Sequence, residues 1–524
     1  MDFKLVDEMN SPDVNYLKSR DLTSLEFQER LIDMIRLEST PLLEKLNFIK
    51  IISSNLEEFI SVRMPRMDNN QALQAIHTIE ALYNALGDEL TKINHINNIN
   101  ELSSEKSIYK VIYDKNYNIV YTGEDEDELI NALEELVNAK EKPSNFSILY
   151  SGDEWVDISN DNNLEYVFHV PLCIILLDKY IEIYKKIFSD DKYKYPAENI
   201  HYSNINYRKE LLENDIMIRN PYDSYNMVLD FIHQMCVSKY TTTIFITLYR
   251  TAKQSKIVSS LLKALKLGKN VFVYIEPTAR DNEADNIKNI LKLQDCGAVV
   301  KYSYFNYKVH SKLMCAIDIY GNIYSHIGTG NYNEDTSRFY TDTHLLTANK
   351  NVSINTFRMI SNIFRKEHFL IDNDISLLHP APLNLRNLIF SLINQEMDKG
   401  KDGVILIKCN NLCDKGVVTK LEEAANKGVQ IRIICRTSCS MIPRANVEIR
   451  SKVGRYLEHD RFYIFGDRVF IASADLLTRN ISKRVESLCE IDSDECKKKV
   501  ITSFFDIWNS ENIHTLKNDG WRLI

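Results

Sequence analysis

The sequence predicts a multidomain chain of mixed α+β and α/β class. An N-terminal helical domain is expected over 1–90, a small α+β head over 91–200, and two tandem α/β domains over 201–372 and 373–524. Three observations carry this reading. Helical periodicity fills 24–65, strands and helices alternate from about 205, and the same order begins again from about 373. At 524 residues the chain has room for roughly three or four domains of about 100–200 residues each.

Each element follows from local signals. Leu25, Phe27, Leu31 and Ile35 repeat at helical spacing, as do Leu42, Leu43, Leu46 and Ile49, then Leu56, Phe59 and Val62. Thr40-Pro41 ends the first helix, and Ser53-Ser54-Asn55 before Glu57-Glu58 reads as an N-cap opening a third. Strand candidates follow at 109–113 and 118–121. The acidic run 124–128 reads as a solvated face, 172–188 as a helix and 190–195 as a linker. In the first α/β domain, strands at 241–247, 271–275 and 298–304 flank helices at 255–267 and 283–293, which end near Gly268 and Gly297. Strands at 313–319 and 323–326 complete it. The second domain repeats the order with a strand at 404–408, a helix at 416–426, and strands at 431–435, 461–465 and 469–471. A diverged internal duplication accounts for the match.

Composition excludes several classes. With 15 glycines and 11 prolines against 44% hydrophobic residues, the chain is neither fibrous nor wholly disordered. The net charge of −9 argues against a general nucleic-acid binder, so an anionic substrate would need a local basic cavity. Charges at Asp2, Lys4, Asp7 and Glu8 do not fit a signal peptide. The longest apolar run, 170–177, falls short of the ~20 residues that span a bilayer. Cys409/Cys413 and Cys435/Cys439 invite a zinc reading, but Cys409 and Cys435 fall on strand-like segments. Ordinary reduced thiols are expected instead. The cytoplasm is the expected compartment, with peripheral membrane association left open.

The chemistry concentrates in the duplication. Val309-His310-Ser311-Lys312 precedes Gly328-Thr329-Gly330-Asn331, and Glu458-His459-Asp460-Arg461 precedes Ala472-Ser473-Ala474-Asp475. Residues i and i+2 of a strand share a face, so His310 lies beside Lys312 and His459 beside Arg461. Two such faces brought together would suit phosphoryl chemistry. One imidazole attacks phosphorus, the cations neutralise its oxygens, and the other imidazole manages a proton.

These motifs, with Arg20-Asp21-Leu22-Thr23-Ser24-Leu25, Ser53-Ser54-Asn55-Leu56-Glu57-Glu58-Phe59, Thr247-Leu248-Tyr249-Arg250, Ala279-Arg280, Tyr340-Thr341-Asp342 and Arg455-Tyr456-Leu457, resemble the polyphosphate kinases of the first, histidine-phosphorylating class. The matching motifs span roughly 16–65 and 200–490. The resemblance implies two phospholipase D-like α/β domains, with ATP/ADP and inorganic polyphosphate as substrates and Mg²⁺ as cofactor. It implies no specific nucleic acid and no membrane insertion. His310 matches the histidine that takes the γ-phosphoryl group, and His459 the second histidine, which also meets ATP. Asn55, Tyr340 and Arg436 match nucleotide contacts, and Arg250 and Arg280 match the Mg²⁺–phosphate site. A guanidinium has no lone pair for a cation, so both arginines are expected to clasp phosphate oxygens. Lys312, Arg461, Asp342 and Asp475 are candidates for support, the two carboxylates either orienting histidines or capping turns. Asn55 could equally be only a helix cap.

The sequence departs from the family in three places. The head is short, which weakens the case for a homo-oligomer, because that head carries dimer contacts in relatives. Ser24 replaces a tryptophan, and Asn282 stands where an acidic residue is usual, which would weaken Mg²⁺ binding. Two other functions fit the same motifs: a phospholipase D-like phosphodiesterase or nuclease, and a non-catalytic polyphosphate- or nucleotide-binding module.

Overall fold

Helical periodicity at the start of the chain becomes α1 (Arg20–Arg36), α2 (Leu42–Glu58) and α3 (Asn69–Ile96), with Pro41 at the mouth of α2 as the Thr40-Pro41 break predicts. The computed structural model describes residues 20–99, 108–114, 117–121, 146–151, 164–196, 200–249, 255–276, 283–302, 307–365 and 377–524. The acidic run 124–128 lies outside them. The cap expected at 53–55 does not form, because α2 runs through it. Ile49, Ile52, Leu56 and Ile60 keep one fully buried stripe, and its burial outweighs the local capping preference of Ser and Asn. Asn55 instead donates from Nδ2 to Gln28 Oε1 at 3.2 Å. Downstream, β1 (Ile108–Asp114), β2 (Tyr117–Tyr121), β3 (Phe146–Ser151) and β4 (Leu164–His169) form a small sheet in the order β2-β1-β3-β4. The single helix expected at 172–188 is two, Leu172–Ile175 and Leu177–Ile187. α3 runs across residue 90, where the head was expected to begin shortly afterwards.

The chain forms two compact units, one over 21–198 and one holding 199–524. In the second, the first α/β half contributes β5 (Ile216–Asn220), β6 (Thr241–Leu248), β7 (Asn270–Ile275), β8 (Val299–Lys301), β9 (Lys308–Val309), β10 (Lys312–Asp318), β11 (Ile323–Gly328) and β12 (Tyr340–Thr347). The second half contributes β13 (Leu378–Ala381), β14 (Val404–Leu412), β15 (Gln430–Cys439), β16 (Val447–Ser451), β17 (Leu457–Glu458), β18 (Phe462–Phe465), β19 (Arg468–Ala472) and β20 (Arg484–Glu490). A terminal hairpin, β21 (His514–Lys517) and β22 (Gly520–Leu523), follows. One sheet runs β17-β12-β11-β10-β6-β7-β8 with β5 on β12. The other runs β13-β20-β19-β18-β14-β15-β16-β21-β22 with β9 on β20. The halves therefore share a strand order and exchange one short strand each.

Strand alternation explains the layering. On β10, Met314 and Ala316 face the core under helices Asn226–Val237 and Lys256–Lys266, whereas Leu313 and Cys315 face a second core. On β18, Phe462 and Ile464 enter that same second core, and Tyr463 and Phe465 enter the one under helices Leu385–Asp398 and Lys415–Asn426. The two sheets thus pack face to face on a shared apolar layer, each covered outside by helices.

Candidate active site

The exchanged strands carry the histidines. β9 pairs in parallel with the start of β20, Arg484 opposite Lys308. The amides of His310 and Ser311 then both donate to Val485 O, at 2.8 and 3.0 Å. From Lys312 onward the chain joins β11 of its own sheet. In the other half β17 pairs in parallel with β12, Tyr340 opposite Leu457, and His459 N donates to Thr341 Oγ1 at 3.0 Å. Each histidine therefore stands where its strand leaves one sheet for the other, and meets a carboxylate of the opposite half. His310 Nδ1 lies 2.9 Å from Glu486, and His459 Nδ1 lies 2.8 Å from Asp342. Thirteen residues before each carboxylate a hydroxyl supports it: Thr329 Oγ1 donates to Asp342 at 2.7 Å, and Ser473 Oγ donates to Glu486 at 2.6 Å. Gly330 makes room for this approach, since a Cβ there would stand 2.0 Å from the Asp342 carboxyl.

The surroundings of the two rings differ. Burial pushes His310 well below its ordinary value, and Lys312, Arg484, Arg461 and His459 push it further. Burial likewise takes His459 down to about 4, against the pull of Asp342. Both rings are neutral at pH 7. A carboxylate accepting from Nδ1–H leaves Nε2 as the lone-pair nitrogen. His459 Nε2 faces Arg461 Nη1 at 3.3 Å, while His310 meets the edge of Tyr249, ring centroids 4.8 Å apart. The carboxylates also separate. Burial raises Glu486 to about 7 despite Lys312 nearby, whereas Asp342, which burial alone would raise, is held below its usual range by His459 and Thr329. Buried Lys312 is pushed down to about 7. The arrangement can present one neutral imidazole nucleophile among cations, with a second imidazole locked beside it.

Comparison with known proteins gives the family of the chain. Three domain descriptions match in order: the polyphosphate kinase N-terminal domain over residues 17–115, the polyphosphate kinase C-terminal domain 1 over 206–368 and the C-terminal domain 2 over 378–521. The chain belongs to the polyphosphate kinase family. Among curated relatives, the polyphosphate kinase of Staphylococcus haemolyticus is 35% identical over 319 residues, 57% of this chain and 43% of the relative. That of Lactiplantibacillus plantarum is 32% identical over 366 residues, 66% of this chain and 50% of the relative. The chain thus spans about half the length of the curated relatives it matches. A crystal structure of polyphosphate kinase from Porphyromonas gingivalis shares the fold, with a TM-score of 0.74 at 22% identity over 97% of this chain and 95% of that one.

Within this polyphosphate kinase family member the expected residues distribute unevenly. His310, His459, Lys312, Arg461, Asp342 and Asp475 come together. Asp342 contacts a histidine, but Asp475 contacts Arg461 instead, at 3.3 Å from both Nε and Nη2, and accepts from Asn410 N at 2.8 Å. Tyr340 packs its ring 5.2 Å from that of His459. Arg436 is near enough to Asp475, Arg461 and Tyr340 to feel their charges. Asn55 lies on α2 in the 21–198 unit. Arg250, Arg280 and Asn282 lie outside the described residues. Sequence reading missed Glu486, although the shared thirteen-residue spacing from Ser473 and Thr329 was a usable signal. It also missed the buried cluster behind His459. There Asp460 accepts from Arg219 Nε at 2.9 Å and from Lys408, and Lys408 Nζ lies 3.0 Å from Glu458. Among the described residues no three His, Cys, Asp or Glu side chains converge as a cation site, Cys409, Cys413, Cys435 and Cys439 included. No helix there is long and apolar enough to cross a membrane.

Proposed function

We propose that the chain is a polyphosphate kinase in activity as well as in family, transferring the γ-phosphoryl group of ATP reversibly to inorganic polyphosphate through phosphohistidine. The observation that supports it is the unequal pair of neutral imidazoles. His310 has Nδ1 on Glu486, and among the described residues none hydrogen-bonds its Nε2, while His459 is held at both nitrogens. The Nε2 lone pair of His310 attacks the γ-phosphorus, and the bond to the β,γ-bridging oxygen breaks, its electron pair leaving with ADP. A terminal oxygen of polyphosphate then attacks the same phosphorus, and the P–N bond electrons return to His310. Glu486 holds the Nδ1 proton throughout and balances the imidazolium charge. Lys312 and Arg461 neutralise the phosphoryl oxygens, and His459 with Arg461 stabilises the transferring group.

Tyr340, Arg436 and His459 are the proposed nucleotide contacts. For Asn55, Arg250 and Arg280 the sequence resemblance alone supports a role. Mg²⁺ would shield phosphate charge. The described residues do not offer it a resident cage of carboxylates or imidazoles, so it would be carried on the phosphate oxygens of the nucleotide. The test is incubation with γ-labelled ATP and Mg²⁺, following acid-labile label on the protein and long-chain polymer. Both products are expected, and both vanish in His310→Ala. Full activity in that variant sinks the reading.

A further inference from the structure

Behind Tyr340 a single line of hydrogen bonds crosses the sheet. Tyr332 OH lies 2.5 Å from His326 Nδ1, His326 Nε2 2.9 Å from His344 Nδ1, and His344 Nε2 2.7 Å from Asn220 Oδ1. Asn220 Nδ2 donates to Tyr340 O at 2.6 Å and to Ser337 O at 3.0 Å. All four side chains are at least 99% buried. Gly328 leaves room for the imidazole pair, because a Cβ there would stand 2.9 Å from His326 Cε1.

The direction of every bond in this line is determined. Carbonyl oxygens only accept, so the Asn220 amide must turn its nitrogen toward Ser337 and Tyr340 and its oxygen toward His344. His344 must then carry its proton on Nε2 and accept at Nδ1, and His326 must do the same. Tyr332 must donate. No donor in the line is left over, and no alternative register satisfies the two carbonyls. The far end is anchored in the glycine-rich segment Gly328–Tyr332, where Tyr332 stands three residues after Thr329, which supports Asp342. The near end grips both ends of the turn Ser337–Tyr340, whose last residue packs against His459.

We propose that Tyr332, His326, His344 and Asn220 form one positioning chain that fixes the Ser337–Tyr340 turn and thereby sets nucleotide affinity, while taking no part in phosphoryl transfer. The proposal rests on Tyr340 being a nucleotide contact, as the proposed function has it. An apolar break anywhere in the line strands a buried donor or acceptor and frees the turn. A glutamine at position 344 can accept from His326 and donate to Asn220, and so keeps the direction.

The experiment uses the full chain and two readouts. Hydrogen exchange of the 336–341 backbone reports the turn without reference to activity. Steady-state polymer synthesis separates KM for ATP from kcat. Asn220→Ala and His344→Leu are expected to speed exchange there about tenfold and to raise KM about tenfold, with kcat moving less than twofold. His344→Gln is expected to restore both. If the apolar variants fail to fold, Tyr332→Phe keeps the shape and should still speed exchange about threefold. Unchanged exchange in folded variants, or a fall in kcat at constant KM, overturns the proposal. A wild-type chain that takes no label from ATP sinks the polyphosphate kinase reading and the link to affinity. The exchange comparison then still decides whether the line holds the turn.

Discussion

In the first half of the 199–524 unit the residue after the histidine is Ser311, the cation two residues on is Lys312, and the carboxylate reaching across is Glu486. In the second half the same places hold Asp460, Arg461 and Asp342. Backbone and register are shared, so the difference lies in the side chains. Around His310 the charges are conditional: burial brings both Glu486 and Lys312 to about 7, where a small change of surroundings switches either. Around His459 they are permanent. Burial alone would raise Asp475, yet Arg461 holds it well below the usual carboxylate range, and Asp460 is held likewise by Lys408 and Arg219. A duplicated scaffold has thus produced one adjustable imidazole and one fixed imidazole. That is the division of labour expected of a nucleophile and its stabiliser.

The strongest way to break this comparison is to neutralise each carboxylate in turn. Glu486→Gln removes the acceptor that keeps the Nδ1–H tautomer of His310, and labelling of the protein should fall about 10³-fold. Asp342→Asn should cost only roughly tenfold, because Arg461 still holds the His459 ring. A larger loss in Asp342→Asn would assign the nucleophile to His459. The pH profile sharpens the test. Glu486 is raised above its ordinary value, so below pH 7 it is protonated and donates to Nδ1, which moves the imidazole proton to Nε2 and removes the outward lone pair. Labelling should therefore rise from pH 6 to pH 8 in the wild type, and that rise should be lost in Glu486→Gln.

Much of this contrast was legible beforehand. The strand order and both His-x-cation motifs stand in the sequence because strand alternation and glycine-ended helices are local signals. Glu486 was hidden because its histidine lies 176 residues away and reaches it only through an exchanged two-residue strand. Arg219, Lys408 and Asp460 were hidden for the same reason: each looks like an ordinary surface charge until the sheets are layered. Asn55 misled in the opposite direction, since its local capping signal was overridden by the buried stripe of α2.

Position 311/460 tests the fixed half through stability. Asp460 is fully buried and bonded to Arg219, Lys408, Thr341 and Thr343. Asp460→Ala leaves two buried cations without that carboxylate and should cost about 3–5 kcal/mol in denaturant unfolding. Ser311→Ala removes a hydroxyl with no hydrogen-bond partner and should lie within about 0.5 kcal/mol of wild type. Equal losses at the two positions would show that the second half is not specially locked.

The smallest effect expected is a proton count. With Lys312 at about 7, its ammonium is charged at pH 6 and mostly neutral at pH 8. Seating a polyanion beside it favours the charged form, so binding at pH 8 should take up to about one proton from solvent, and binding at pH 6 close to none. Calorimetry with tripolyphosphate in buffers of different ionisation enthalpy reads this directly. Arg461 is charged throughout and contributes nothing to the count. Lys312→Arg makes the first half resemble the second in this respect and should abolish most of the uptake. Uptake that survives in Lys312→Arg would belong to Glu486, whose carboxyl is raised to the same region, and would place the adjustable charge on the carboxylate side of His310 rather than the cation side.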